Sequence, residues 1–101
     1  MASRLDLQSK LEELLDGNEV YYKPPKNIMM SYPAIRYELQ GIFFHRADDL
    51  SYTKRNRYEV IVIDKKPDNL VISKLLDLPY CSYDRQYISD NLYHDVLILY
   101  W

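Results

Sequence analysis

The chain has 101 residues, of which 48% are hydrophobic and 28% charged, and its formal net charge is −2. This length predicts one domain, residues 1–101, with enough apolar side chains for a core without metals or disulfides. The acidic balance argues against a general nucleic-acid-binding protein, no apolar run approaches the ~20 residues that a membrane-spanning helix needs, and the single cysteine, Cys81, fits a reducing compartment.

The first segment predicts a helix and a short strand. Residues 3–16 carry four leucines on one helical stripe, with polar residues elsewhere, so they predict an amphipathic helix that packs on a sheet. Gly17 is expected at the C′ position that ends this helix. Residues 19–22 then predict a short strand, which stops at Pro24 because consecutive prolines cannot donate to a ladder.

A long hairpin is predicted next. From Pro33 the apolar residues alternate with Arg, Glu and Gln, which is typical of a strand, and Gly41 marks a bulge or break in it. Residues 45–51 are the most polar stretch and predict a protruding loop. Residues 52–64 predict the returning strand, whose first half is polar and whose second half is apolar, so the hairpin is expected to reach beyond the body of the domain.

The apolar half of that strand is the centre of the predicted fold. Val60 to Ile63 are four consecutive β-branched residues, which favour a strand buried on both faces. Asp68 is expected to cap a second helix that ends before Pro79. Two last strands, residues 81–88 and 92–101, complete an α+β domain in the order α-β-β-β-α-β-β, with both helices on one face of a mostly antiparallel sheet.

Candidate catalytic residues are few. His45 near Asp48 and Asp49 matches no metal-ligand spacing, and a polar loop explains these residues without chemistry. His94 and Asp95 are neighbours on a strand and therefore point to opposite faces. Cys81 has no histidine partner nearby in the sequence, so we predict no enzyme and no catalytic, metal or cofactor residue.

The sequence contains more candidates for contacts with other proteins than for catalysis. The Ile-Met-Met segment at residues 28–30 either tucks under the sheet or meets another chain. The basic residues of the hairpin are a solvated strand end, or contact nucleic acid, or meet acidic groups of a neighbouring subunit. The expected interface residues are Ile28, Met29, Met30, Phe43, Phe44, Tyr52, Arg55 and Arg57, with Arg46 and Lys54 in a charged arm or lining a lumen.

Three segments together resemble a known group. They are residues 58–68 (YEVIVIDKKPD), 78–85 (LPYCSYDR) and 90–96 (DNLYHDV). They are similar to the small tail-completion, or tail-terminator, proteins of tailed bacteriophages and prophages, and the resemblance extends over residues 20–101. The order of helices and strands is also similar to that of the tail-terminator fold.

The resemblance implies a structural virion protein, made in the bacterial cytoplasm and located at the tail–neck region. Such proteins form a ring, usually hexameric, that caps the tail tube and joins it to the head-side neck, and DNA passes through the lumen without sequence-specific binding. The implied partners are other copies of the chain, the tail tube protein and neck connector proteins, with no cofactor and no membrane. The alternatives are a head–tail connector or stopper, or a small non-catalytic protein-binding module.

Overall fold

The computed structural model describes residues 4–24, 29–46 and 52–101, with the backbone alone for 43–46 and 52–55. It contains two helices and one five-stranded sheet, which confirms the predicted α+β fold and element order. The elements are α1 (Arg4–Leu15), β1 (Val20–Tyr22), β2 (Ala34–Arg46), β3 (Tyr52–Asp64), α2 (Leu70–Leu76), β4 (Cys81–Ser89) and β5 (Leu92–Tyr100).

The sheet has the strand order β1-β2-β3-β5-β4, so β3 is its central strand, as predicted. Neighbouring strands are antiparallel except β1 and β2, which are parallel. Val60 to Ile63 are each at most 7% exposed, because helices cover one face and a chain segment covers the other. The bulge predicted at Gly41 is present as a register shift between Leu39 and Gly41.

Both helices pack on the same face of the sheet. Leu7 and Leu11 of α1, and Val71 and Leu75 of α2, join one core cluster with residues of β2, β3 and β5. Burial of a leucine such as Leu75, which is fully inaccessible, contributes about 1.5–3 kcal/mol to folding. This helical face therefore supplies most of the described core.

The opposite face of the sheet is covered over one part only. Ile61, Ile63 and Val96 form a small cluster there, against which Met30 and Tyr32 pack. The segment that precedes β2 therefore crosses this face and shields the centre of β3 from solvent.

Two predicted helix ends are wrong by one residue. Asp16, and not Gly17, takes the left-handed conformation (φ 59°) after α1. The amide of Asp16 donates to Glu13 O (3.2 Å) and the amide of Gly17 to Glu12 O (3.2 Å), which is the Schellman pattern.

At α2 the N-cap is Asn69, and not Asp68. The side-chain oxygen of Asn69 accepts from the amide of Val71 at 2.8 Å, and its side-chain nitrogen donates to Asp64 Oδ2 at 2.6 Å. The second contact joins the cap to the end of β3, which explains why the helix begins one residue later than its sequence suggests.

Candidate interaction surfaces

The first candidate surface is a two-stranded extension of the sheet, here called the arm (residues 41–46 and 52–56). These residues pair β2 with β3, from Ile42↔Asn56 to Arg46↔Tyr52, whereas the pairing of β3 with β5 begins only at Arg57↔Tyr100. Five to six residues per strand at ~3.3 Å each give a ribbon about 15–20 Å long beyond the body. The molecule is accordingly elongated, 51 Å by 22 Å by 22 Å.

Most predicted interface residues belong to this arm. Phe43, Phe44 and Arg46 lie on β2, and Tyr52, Lys54 and Arg55 lie on β3; their side chains are outside the described residues. Arg57 lies at the base of the arm. These positions come together in one ribbon, while their role as contact residues stays a prediction.

The base of the arm contains two buried polar atoms without a hydrogen-bond partner among the described residues, Asn56 Oδ1 and Arg57 Nε. The backbone at this point is firmly held, because Asn56 and Trp101 exchange two hydrogen bonds, of 3.2 Å and 2.8 Å. Arg57 therefore lies at the junction between arm and body, and its side chain is partly enclosed there.

The Ile-Met-Met segment (residues 28–30) was predicted either to tuck under the sheet or to meet another chain, and its two described residues differ in this respect. Met30 packs on the Ile61 cluster, whereas the Met29 side chain is 91% exposed. Ile28 lies outside the described residues. Of this segment, Met29 is thus the apolar side chain that is accessible to another chain.

The second candidate surface is the edge strand β4. It has one neighbour, β5, and its residues from Ser82 to Ser89 are all exposed. It also carries large exposed apolar side chains, and an accessible edge of eight residues is long enough to pair with another strand. On β4 these side chains are Tyr83, Tyr87 and Ile88; Leu76 at the end of α2 and Tyr80 in the connection that follows are also exposed.

A buried carboxylate holds β4 in place. Asp95 of β5 is 3% exposed, and its Oδ1 accepts from Tyr83 Oη (2.7 Å) and from Gln86 Nε2 (3.0 Å). The two donors lie on either side of the β4 bulge between Tyr83 and Arg85. The nitrogen of Gln86 also contacts Pro67 O at 3.1 Å, so this network, the Asp95 network, joins β4, β5 and the approach to α2.

The Asp95 network changes the acidity of its tyrosine. Partial burial, together with the hydrogen bond to the Asp95 carboxylate, raises the pKa of Tyr83 to about 12. Tyr83 therefore keeps its proton throughout the neutral range, and its hydroxyl donates a hydrogen bond to Asp95.

On the opposite face, β4 and β5 carry a stacked group. The rings of Tyr87 and His94 lie 4.8 Å apart and nearly parallel (12°), and the guanidinium of Arg85 lies 5.7 Å from the centre of the Tyr87 ring. His94 Nδ1 contacts Leu92 O at 3.1 Å. His94 and Asp95 are thus on opposite faces, as predicted, and do not act together.

The other candidate residues for chemistry are Cys81 and the polar group around His45. Burial raises the pKa of the Cys81 thiol, which makes it a poor nucleophile at neutral pH. His45, Asp48 and Asp49 have side chains outside the described residues. Within the ranges that the structure describes, no three His, Cys, Asp or Glu side chains are grouped as metal ligands.

The sequence did not indicate two of these features. Asp95 lies within an apolar strand, and its donors are twelve and nine residues earlier, so only the β4–β5 register brings them together. The regular alternation of β4 likewise gave no sign that the strand is the exposed edge. The one available signal was Asp95 itself, which is the single carboxylate between Leu92 and Tyr100.

A scan against protein-family models and a search of curated proteins gave no match to this chain. Among its described helices, none is long and apolar enough to cross a membrane.

Proposed function

We propose that the chain is a non-catalytic structural protein of the tail-terminator kind. In this proposal it assembles as a ring, hexameric as in the group it resembles, that caps the tail tube and joins it to neck proteins, with DNA passing through the lumen. The finished ring belongs to the tail–neck region of the virion.

The observation that supports this proposal best is the arm. A ring needs a contact between two different surfaces of the same chain that closes by rotation. The arm (residues 41–46 and 52–56) leaves the body at the far end of β2 and β3. The exposed strand β4 is at one edge of the sheet. One chain therefore offers two unlike surfaces to its neighbours.

A second candidate is a monomeric protein-binding module. The exposed edge of β4 favours it, because an edge strand binds an extended segment of another protein through main-chain hydrogen bonds. A head–tail connector or stopper would use the same two surfaces in a ring at a different level of the neck. The oligomeric state separates the module from the two ring proteins.

The proposal is tested by reversing the charge of the arm. Lys54→Glu with Arg55→Glu is expected to block completion of tails in an assembly reaction with tail tubes and neck proteins. Arg57 is left intact because its Nε is buried at the base of the arm. Lys65→Glu with Lys66→Glu changes the net charge equally at exposed positions outside the arm and is the matched control.

The expected result is loss of completed tails with the arm variant and normal completion with the control, while both variants keep the circular dichroism spectrum of the wild type. If the arm variant completes tails as well as the wild type does, the arm has no part in assembly and the proposal loses its main support.

A further inference from the structure

The two edges of the sheet differ in their ability to accept another strand. At the β1 edge, Gln8 of α1 donates to the carbonyl of Val20 at 3.0 Å, so an outward backbone group is already bonded. The strand has only three residues and is followed by Lys23, whose amide donates to Tyr37 O (3.1 Å), and by Pro24. This edge is therefore closed to extended pairing.

The β4 edge is exposed over eight residues, from Ser82 to Ser89, with the bulge between Tyr83 and Arg85 among them, and it is acidic. Strand β4 and the turns on both sides of it (residues 77–91) contain three carboxylates, Asp77, Asp84 and Asp90, and one cation, Arg85, which gives a net charge of −2. All four side chains are exposed. A strand that pairs here with a positive charge gains electrostatic attraction in addition to main-chain hydrogen bonds.

The arm has the complementary charge and shape. Its two strands with Arg57 (residues 41–46 and 52–57) contain four cations, Arg46, Lys54, Arg55 and Arg57, and no carboxylate. The connecting residues add Asp48 and Asp49, so residues 41–57 together carry a charge of +2. Beyond the body, β2 and β3 pair only with each other among the described strands, so the arm also has unpaired outer edges. Pairing two β4 edges instead would bring two surfaces of charge −2 together.

We infer that the arm of one copy docks along the β4 edge of the next, extending the neighbour's sheet at β4. The occupant of the β4 edge is thus a second copy of this chain. The contact joins two different surfaces. A row of docked copies therefore keeps a free arm at one end and a free β4 edge at the other, and both are occupied only when the row closes into a ring. The inference rests on the proposed function and names the contact that would build the ring.

Cross-linking tests the inference directly. In a Cys81→Ser background, chains with Thr53→Cys in the arm are mixed with chains with Ser82→Cys on β4 and treated with a short bismaleimide. Docked neighbours have an effective concentration in the millimolar range, so cross-linked dimers are expected to form about a thousandfold faster than by random collision at micromolar protein. Mixing Thr53→Cys with Ser9→Cys, an exposed position on α1, is the matched control.

A charge swap gives a second, independent test. Asp77→Lys with Asp84→Lys, and Lys54→Glu with Arg55→Glu, are each expected to stop assembly in light scattering. A chain that carries all four changes is expected to assemble again, because the attraction is restored with its sign reversed.

The outcomes also separate this inference from the proposed function. Rings without the arm–edge cross-link, equal cross-linking in the Ser9→Cys control, cross-links of β4 to the tube protein alone, or no rescue by the fourfold variant would each overturn the inference and leave the ring proposal standing. A wild-type chain that forms no ring, alone or on tail tubes, removes both.

Discussion

Asp95 shows how one buried carboxylate shapes an edge strand. Its Oδ1 holds Tyr83 and Gln86, which lie on either side of the β4 bulge, so the carboxylate fixes the local path of a strand that is otherwise exposed. A buried charge is stable only when it is hydrogen-bonded, so the network has to be complete. The shape of the β4 edge therefore depends on a residue on the neighbouring strand.

Removing one donor should destabilise the protein measurably. Tyr83→Phe deletes the hydroxyl that donates to Asp95, and we expect a loss of about 1–2 kcal/mol in the free energy of unfolding, measured with denaturant. Tyr87→Phe on the same strand is the control and should stay within about 0.5 kcal/mol. In an Asp95→Ala background, Tyr83→Phe should have almost no further effect; an undiminished effect there would show that the hydroxyl acts elsewhere.

The raised pKa of Tyr83 predicts a loss of stability at alkaline pH. A tyrosine in the unfolded chain ionises near a pKa of about 10, whereas Tyr83 in the native state has a pKa of about 12. The contribution is complete below pH ~10 and is lost as the pH rises through about 12, because the unfolded state then gives up a proton that the native state holds.

The difference in unfolding free energy between wild type and Tyr83→Phe should therefore shrink over this pH interval. The pKa values of Tyr21, Tyr37 and Tyr58 are also raised, but these residues are present in both proteins and cancel in the difference. A difference that stays constant from pH ~9 to ~12 would contradict the assigned hydrogen bond.

At the scale of elements, α2 has one buried side and one exposed side within a single turn. Leu75 is completely inaccessible in the core cluster, whereas its neighbour Leu76 is 42% exposed. Leu75→Ala should lower the free energy of unfolding by about 2–5 kcal/mol because it leaves a cavity, and Leu76→Ala should cost less than about 1 kcal/mol. Equal losses in denaturant unfolding would mean that α2 packs on the sheet by a different face.

The arm should be dispensable for folding. Replacing residues 43–55 by Asn-Gly joins Ile42 to Asn56, which already face each other across the ladder, through a two-residue hairpin turn. In the described ladders, residues 43–46 and 52–55 pair only with each other, and β5 pairs with β3 only from Arg57 onward, so the free energy of unfolding should change by no more than about 1 kcal/mol. A variant that fails to fold would show that the arm belongs to the core.

The sequence predicted the elements better than their surroundings. Strand β3 was predicted with the observed bounds, because its β-branched run and polar lead-in are local signals. The parallel pairing of β1 with β2, the N-cap at Asn69 and the position of β4 at the sheet edge depend on contacts between distant segments. Sequence periodicity carries no information on these, which is why the Asp95 network and the β4 edge were missed.

At the scale of the molecule, the body and the arm have separate tasks in this account. The body provides a sheet with one closed edge at β1 and one exposed edge at β4. The arm provides a basic ribbon at the end of the long axis of 51 Å. A chain with two unlike, complementary surfaces is expected to assemble head to tail, and closure of that assembly produces a ring.

The most direct test is the molar mass of the assembled protein. Light scattering on the wild-type chain, alone and with tail tubes, should detect a closed oligomer; a hexamer of the 12.2 kDa chain has a mass of about 73 kDa. The folded variant without the arm should remain a monomer under the same conditions. A wild-type chain that stays monomeric at high concentration and does not bind tail tubes would contradict the account.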